Sequence, residues 1–231
     1  IATAGHQQTI DDAFGLGLID NNELLELNSF KDCDVIFLCA PVNKNIEYLT
    51  QLKDIIKDDC IITDVGSTKT QIHEKVIELG LEHNFIGGHP MAGSEKTGIL
   101  NSDKQLLENA YYIITPTAAT TEENLNNFRQ FVLSLGSIAL ILDYRDHDHA
   151  TAAISHLPHM IAYSLVNLIE HIDSEKETMK TIAAGGFRDG KSRTDGGSHD
   201  GRETVVLADG VVHADLVRRH GVVFIDDRQR P

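Results

Sequence analysis

The chain has 231 residues, 41% hydrophobic and 24% charged, a balance ordinary for a soluble globular fold of one large domain or two small ones. A net charge of −15, from 20 basic against 35 acidic residues, argues against nucleic acid, whose phosphates need a basic surface. It leaves room for a small anion held by local cations and helix N-termini. No apolar run approaches the roughly 18 residues of a membrane span and no basic-then-apolar signal opens the chain, so the expected compartment is the cytoplasm.

In chain order, residues 8–14 read as a helix. The Gly15-Leu-Gly-Leu-Ile-Asp20 stretch that follows resembles a dinucleotide loop. It lacks a preceding strand, and Asp20 stands at the third glycine position, so Gly15 and Gly17 are read as helix termination. Residues 35–40 (VIFLCA) form a continuous apolar run of strand length, and residues 45–56 repeat apolar positions at helical spacing. A strand at 60–65, a helix at 69–79 and strands at 84–88, 111–115 and 138–142 follow, with a helix at 121–135 between the last two. Strands apolar on both faces alternating with helices predict a doubly wound, parallel, Rossmann-like α/β sheet over residues 1–145. Residues 146–173 are helix-like throughout, with a broad apolar face expected to be buried in its own domain or against a partner subunit.

Near Gly190 the composition shifts. Up to Arg188 there are ten Lys and three Arg; beyond it there are one Lys, six Arg and no Asn. Residues 146–189 are therefore read as the first part of a helical domain and 190–231 as a divergent tail, foreign or frame-shifted, with a natural appendage as the alternative. The three cysteines (Cys33, Cys39, Cys60) show no CxxC spacing and are read as reduced core thiols.

Several motifs carry chemistry. Asp64-Val-Gly-Ser-Thr-Lys69 joins a strand to a helix at the carboxyl edge of the sheet, where open α/β folds bind ligands. There Gly66 allows close backbone approach, and Ser67 can cap the helix or donate to a ligand. GGHPMAGSEKTG at 87–98 is poor core material but suits a shaped loop presenting one imidazole, His89, for proton transfer near neutral pH. Arg145-Asp-His-Asp-His149 and His156-Leu-Pro-His159 follow on the helical segment. Histidines three apart share a helix face and could hold a metal, but no HExxH or carboxylate cluster completes a ligand set, so no metal site is expected.

Taken together and in this order, Cys39-Ala-Pro-Val42, DVGSTK, GGHPMAGSEKTG, HD followed by SHLPH, and GGFRD at 185–189 resemble the prephenate dehydrogenase family over roughly residues 1–189. The resemblance implies a nucleotide-binding α/β domain followed by an all-helical domain that makes a homodimer. It implies oxidative decarboxylation of prephenate to 4-hydroxyphenylpyruvate with NAD or NADP, in tyrosine biosynthesis. His89 would draw the ring hydroxyl proton, and Ser67 would sit beside that hydroxyl and the nicotinamide. Ser94 and Glu95 would line the substrate entrance, and His159 would help hold the substrate. Ala40, Pro41, Val42, Asp64 and Gly66 would border the cofactor.

Three features depart from the family pattern. Residues 1–4 resemble the family's second strand, so its opening strand and GxGxxG loop are absent from this sequence. The acid expected near the end of that strand appears as Ala4 or Gly5, which leaves NAD against NADP open. After FRD the family continues Thr-Arg, whereas here Ser192 stands in the arginine's place and Arg193 is one position off. The isolated chain is accordingly expected to be inactive and not to fold as a stable monomer. Either a gap lies beside the first strand, or residues 204–207 or 222–225 fill it. Two rival readings are an arogenate dehydrogenase-like oxidoreductase and a metal-dependent hydrolase using His147, Asp148, His156 and His159.

Overall fold

The computed structural model describes residues 1–93, 98–173, 176, 178–182 and 222–226. They fall in two compact units: Ile1–Asp148 with the strand at Val222–Asp226, and a second unit beginning at His149.

In the first unit, β1 (Ala2–Ala4) leads into α1 (Gln7–Gly15), β2 (Val35–Leu38) into α2 (Val42–Leu52), and β3 (Ile61–Asp64) into α3 (Thr70–Leu79). Next come β4 (Ile86–Pro90), β5 (Tyr111–Pro116), α4 (Glu122–Ser134), β6 (Ile138–Ile141) and α5 (Tyr144–Thr151). Gly17, at φ +69°, ends α1: its amide bonds to Phe14 O and that of Leu18 to Ala13 O, the paired bonds of a left-handed helix stop. Thr121 caps α4 by accepting the amide of Asn124 at 3.2 Å.

The first sheet runs β1-β7-β2-β3, where β7 is Val222–Asp226, and all its pairs are parallel. Of the two segments expected to fill the central slot, it is the one at 222–226 that does so; residues 204–207 lie outside the described residues. A single parallel bridge, Ile62 to Phe85, joins β3 to the start of β4. The second sheet runs β4-β5-β6, with β4–β5 antiparallel and β5–β6 parallel. The expected sheet is thus present, but one pair corrects the expectation of a wholly parallel one. Between β4 and β5 the described residues carry short 3₁₀ turns and no crossover α-helix, and β5 lies beside β4 in the opposite sense.

Both faces of β2 are covered, as a continuous apolar strand requires. On β2, Ile36 and Leu38 join Leu49, Leu52, Ile62, Ile72 and Val76 in a core with α2 and α3. Phe37, with the opposite pleat, packs with Tyr112, Ile114, Phe128 and Val132 under α4. Cys33 and Cys60 are buried free thiols, and burial pushes the Cys60 thiol up to about 12.

In the second unit, the five-residue π-helical turn Ala152–His156 precedes α6 (Leu157–Ile172), with α7 (Thr178–Ile182) beyond. Pro158, at the start of α6, has no amide hydrogen to give the preceding turn, a common cause of such a widened turn. Leu157, Met160, Ile161, Leu165, Leu168 and Ile172 are all exposed within this single chain, so of the two kinds of burial expected for this face, the described residues of the chain itself do not supply the first. Helical backbone runs unbroken from Tyr144 to Ile172, and among the described residues this is the one helix long and apolar enough, by length and composition only, to cross a membrane. Polar residues interrupt its apolar positions, so the segment qualifies on average and holds no uninterrupted apolar run of that length.

Candidate active site

The carboxyl ends of β2, β3 and β4 make one edge of the first unit. His89 is the fourth residue of β4 and is 3% exposed. The two glycines before it are required by contact. A Cβ on Gly88 would lie 2.7 Å from both Asp64 O and the Tyr112 hydroxyl, and one on Gly87 would lie 2.2 Å from Thr115 Oγ1. The expectation of a shaped loop of poor core material is corrected here: Ile86–Pro90 is a fully buried strand, and its glycines are required by the close packing around them.

Beneath that edge is a buried ion pair. Asp64 and Lys69 are both fully buried, and the Lys69 ammonium bonds Asp64 Oδ2 and, at 2.7 Å, the carbonyl of Gly88. Burial drives the Lys69 pKa down, and the Asp64 charge opposes it. The Asp64 carboxylate also takes the amide of Gly66 at 2.9 Å. Asp64 therefore organises the turn from β3 to α3 and the end of β4 from below.

Around it stand the other expected cofactor residues. Ala40 is buried, Pro41 is exposed as the residue before α2, and Val42 is half-buried at its first position. A Cβ on Gly66 would meet Val42 Cγ2 at 3.0 Å, so the two strand-to-helix turns touch through glycine. Ser67 is half-buried on the second turn. It does not cap α3, a role taken by Asp148, which accepts the amide of Lys69 at 2.7 Å and that of Thr70 at 2.8 Å. Burial would raise the pKa of Asp148, but hydrogen bonds from His147, the Thr70 side chain and the amides of Thr70 and Lys69 hold it below the usual carboxylate range.

The residues that sequence reasoning did not connect are His147 and Asp148. His89 Nδ1 lies 2.7 Å from His147 Nε2, and His147 Nδ1 lies 2.8 Å from Asp148 Oδ1, with His147 fully buried. The sequence reading had grouped these two with His156 and His159 as metal ligands of a rival hydrolase. Among the described residues no three His, Cys, Asp or Glu side chains gather as a metal set. Nearby His73 is also buried, bonded to Thr115 Oγ1 at 2.9 Å and stacked on Tyr144, and burial followed by the Lys69 charge lowers its pKa to about 4.

His159 lies in the second unit, exposed on α6, with Nδ1 2.7 Å from the carbonyl of Ser155. Ser94, Glu95, the GGFRD motif, Ser192 and Arg193 lie outside the described residues. A shallow depression of about 340 Å³ between α2 and α3, lined by Asn43, Gln71, Glu74 and Lys75 among others, includes none of the residues of the edge.

Comparison with known proteins gives this edge a context. The family profile "Prephenate dehydrogenase, nucleotide-binding domain" matches residues 1–140, and "Prephenate dehydrogenase, dimerization domain" matches residues 143–200, eleven residues into the expected tail. The prephenate dehydrogenase of Lactococcus lactis is 39% identical over 176 residues, 75% of this chain and 48% of that protein. That of Bacillus subtilis is 34% identical over 179 residues, 77% of this chain and 48% of that protein. The chain thus spans about half the length of these curated relatives. Among solved structures, prephenate dehydrogenase from A. aeolicus in complex with hydroxyphenyl propionate and NAD+ superposes with a TM-score of 0.75 at 29% identity, over 84% of this chain and 68% of that one. Synechocystis arogenate dehydrogenase does so with a TM-score of 0.71 at 33% identity, over 86% of this chain and 70% of that one. With a nucleotide-binding sheet, the His89 edge and both family profiles matched in order, the chain belongs to the prephenate dehydrogenase family.

Proposed function

We propose that this sequence carries the catalytic edge of an NAD(P)-dependent enzyme that converts prephenate to 4-hydroxyphenylpyruvate and carbon dioxide. The observation that carries the reading is His89, buried at the carboxyl edge of the sheet with its Nδ1 already engaged by His147. As the ring carbon bearing the hydroxyl becomes a carbonyl, its O–H proton passes to Nε2 of His89. The electron pair of the carbon–carboxylate bond then enters the ring as carbon dioxide leaves, and the resulting phenolate takes the proton back. Ser67 stands beside this edge as a hydroxyl donor, and Ser94, Glu95 and His159 complete the substrate contacts in this reading.

The residues present fit the nicotinamide end of the cofactor. Gly66 lets its turn lie against Val42, where a Cβ would meet Asp64 Oδ2 and Val42 Cγ2 at 3.0 Å, and no side chain caps the start of α2. Ala40, Pro41, Val42 and Gly66 would border it, and Asp64 would hold the Gly66 turn in place. When bound, the cofactor supplies the hydride acceptor. The apolar face of α6 is assigned to a homodimer contact, since the dimerization-domain profile covers it, rather than to a membrane. The relatives' biosynthetic role supports a cytoplasmic location. The boundaries at 145 and 189 are retained, with the tail beyond.

The test is turnover of prephenate, with arogenate in parallel, after grafting residues 1–189 into the Lactococcus lactis relative. His89→Asn should lower kcat by roughly 10²–10⁴-fold with cofactor affinity little changed. A near-normal kcat would refute the assignment, and faster turnover of arogenate than of prephenate would transfer it to that substrate.

A further inference from the structure

We propose that His147 and Asp148 are positioning residues that fix the tautomer of His89, with Asp148 tying that setting to the N-terminus of α3. The inference deepens the reading of His89 as the base and rests on it for its catalytic meaning, though not for its geometry.

Asp148 comes first in the chain of causes. Its Oδ1 accepts the Lys69 amide at 2.7 Å and faces His147 Nδ1 at 2.8 Å, and its Oδ2 accepts the Thr70 amide at 2.8 Å. These donors and the positive end of the helix dipole favour the ionised carboxylate. Lys69 does not compete for it, because its ammonium is committed to Asp64 and the Gly88 carbonyl. An ionised carboxylate can only accept, so His147 Nδ1 must donate.

The rest follows from the chemistry of a neutral imidazole. With its proton on Nδ1, His147 presents a lone pair at Nε2. That atom is 2.7 Å from His89 Nδ1, so His89 donates there and carries its own lone pair on Nε2, the nitrogen that a proton-accepting role requires. Side chains this buried, 0% exposed at His147 and 3% at His89, leave little water to scramble the arrangement. A helix cap and the basicity of the candidate base are therefore set by one side chain, reaching from α5 across 79 positions of sequence to the Lys69 amide.

The proposal is tested on the 231-residue chain with ¹⁵N-labelled histidine, reading ring tautomers from long-range ¹H–¹⁵N correlations at neutral pH. His89 and His147 should both be Nδ1–H; an Nε2–H form of His89 in the wild-type chain would overturn the proposal without any variant. His147→Gln, whose amide oxygen can accept from His89 Nδ1, should preserve the Nδ1–H form. His147→Leu and Asp148→Ala should release it, so that Nε2–H appears. Unchanged tautomers in both releasing variants would also overturn it. In the grafted enzyme, His147→Leu should lower kcat by roughly 10–10⁴-fold at nearly constant KM, with His147→Gln recovering most of the loss. If the tautomers behave as stated while His89→Asn leaves turnover intact, the base assignment fails and the positioning chain stands. If His89→Asn abolishes turnover while the tautomers do not respond, the positioning chain alone fails.

Discussion

Replacing Lys69 by Met isolates the energetic role of the buried ion pair. Methionine fills the space of the lysine stem but removes the ammonium. Asp64 then remains fully buried, with the Gly66 amide at 2.9 Å and the Gly88 amide at 3.4 Å as its donors. The Gly88 carbonyl loses its 2.7 Å partner as well. Breaking a buried pair from one side costs about 3–5 kcal/mol, because a charge is left without compensation. Set against a net stability of about 5–15 kcal/mol, that is a large fraction. In urea, with a slope of about 2 kcal/mol per molar, the midpoint should fall by roughly 2 M. Far-UV circular dichroism across a urea series measures it. Lys69→Met combined with Asp64→Leu should recover most of the loss, since an apolar pair of similar volume is often neutral. A midpoint shift below about 0.5 M for Lys69→Met alone would refute the claim that this pair holds the end of β4.

Two further outcomes are expected. The pKa of His73, about 4 in the folded chain, lies below its ordinary value of about 6.5, so the unfolded chain binds a proton that the folded chain does not between those values. Its contribution is present above pH ~6.5 and is lost as pH falls towards ~4, amounting to about 3 kcal/mol. Urea midpoints taken across that window should drop on acidification, and His73→Gln should flatten the drop; an unchanged slope in the variant would contradict the assignment. In calorimetric titration the chain should show no micromolar binding of NAD or NADP, because no strand of the first sheet runs into a glycine-rich loop among the described residues; saturation in that range would mean that the pyrophosphate is held elsewhere.

Much of the fold was legible because it depends on local patterns. The apolar runs at 35–40 and 60–65 contain β2 and β3, and Gly15 and Gly17 lie at the end of a helix, as read. The sense of β5 was not legible, because a strand buried on both faces carries the same apolar run in either direction. His89 could be singled out by its glycine-rich surroundings. Its partnership with His147 could not, since the two are 58 positions apart and a His-Asp dipeptide has the same composition whether it binds a metal or orders a proton. One local sign did exist. The turn before α3 offers Ser67 and Thr68, yet neither caps it; an acidic residue from elsewhere was needed, and only the fold shows which one. The exposed apolar face of α6 has a similar cause, because sequence shows that a face must be covered but not by which chain.

The strand β7 separates two requirements that a dinucleotide-binding sheet normally meets with one segment. A central strand must give backbone partners to both neighbours, or each is left with a row of unpaired amides and carbonyls. Val222–Asp226 meets that need: it pairs Ala2–Ala4 on one side and Val35–Leu38 on the other, both in parallel. The second requirement is a tight glycine turn from that strand into a helix N-terminus, where a pyrophosphate sits. The five residues after Asp226 read DRQRP, with no glycine among them. Backbone pairing tolerates almost any extended apolar segment, whereas the phosphate turn needs particular residues at fixed offsets. Sheet continuity can thus be supplied by a strand distant in sequence, while the phosphate turn needs its own residues, and in this chain the order around His89 rests on β3, β4, α3 and α5 rather than on the segment filling the centre.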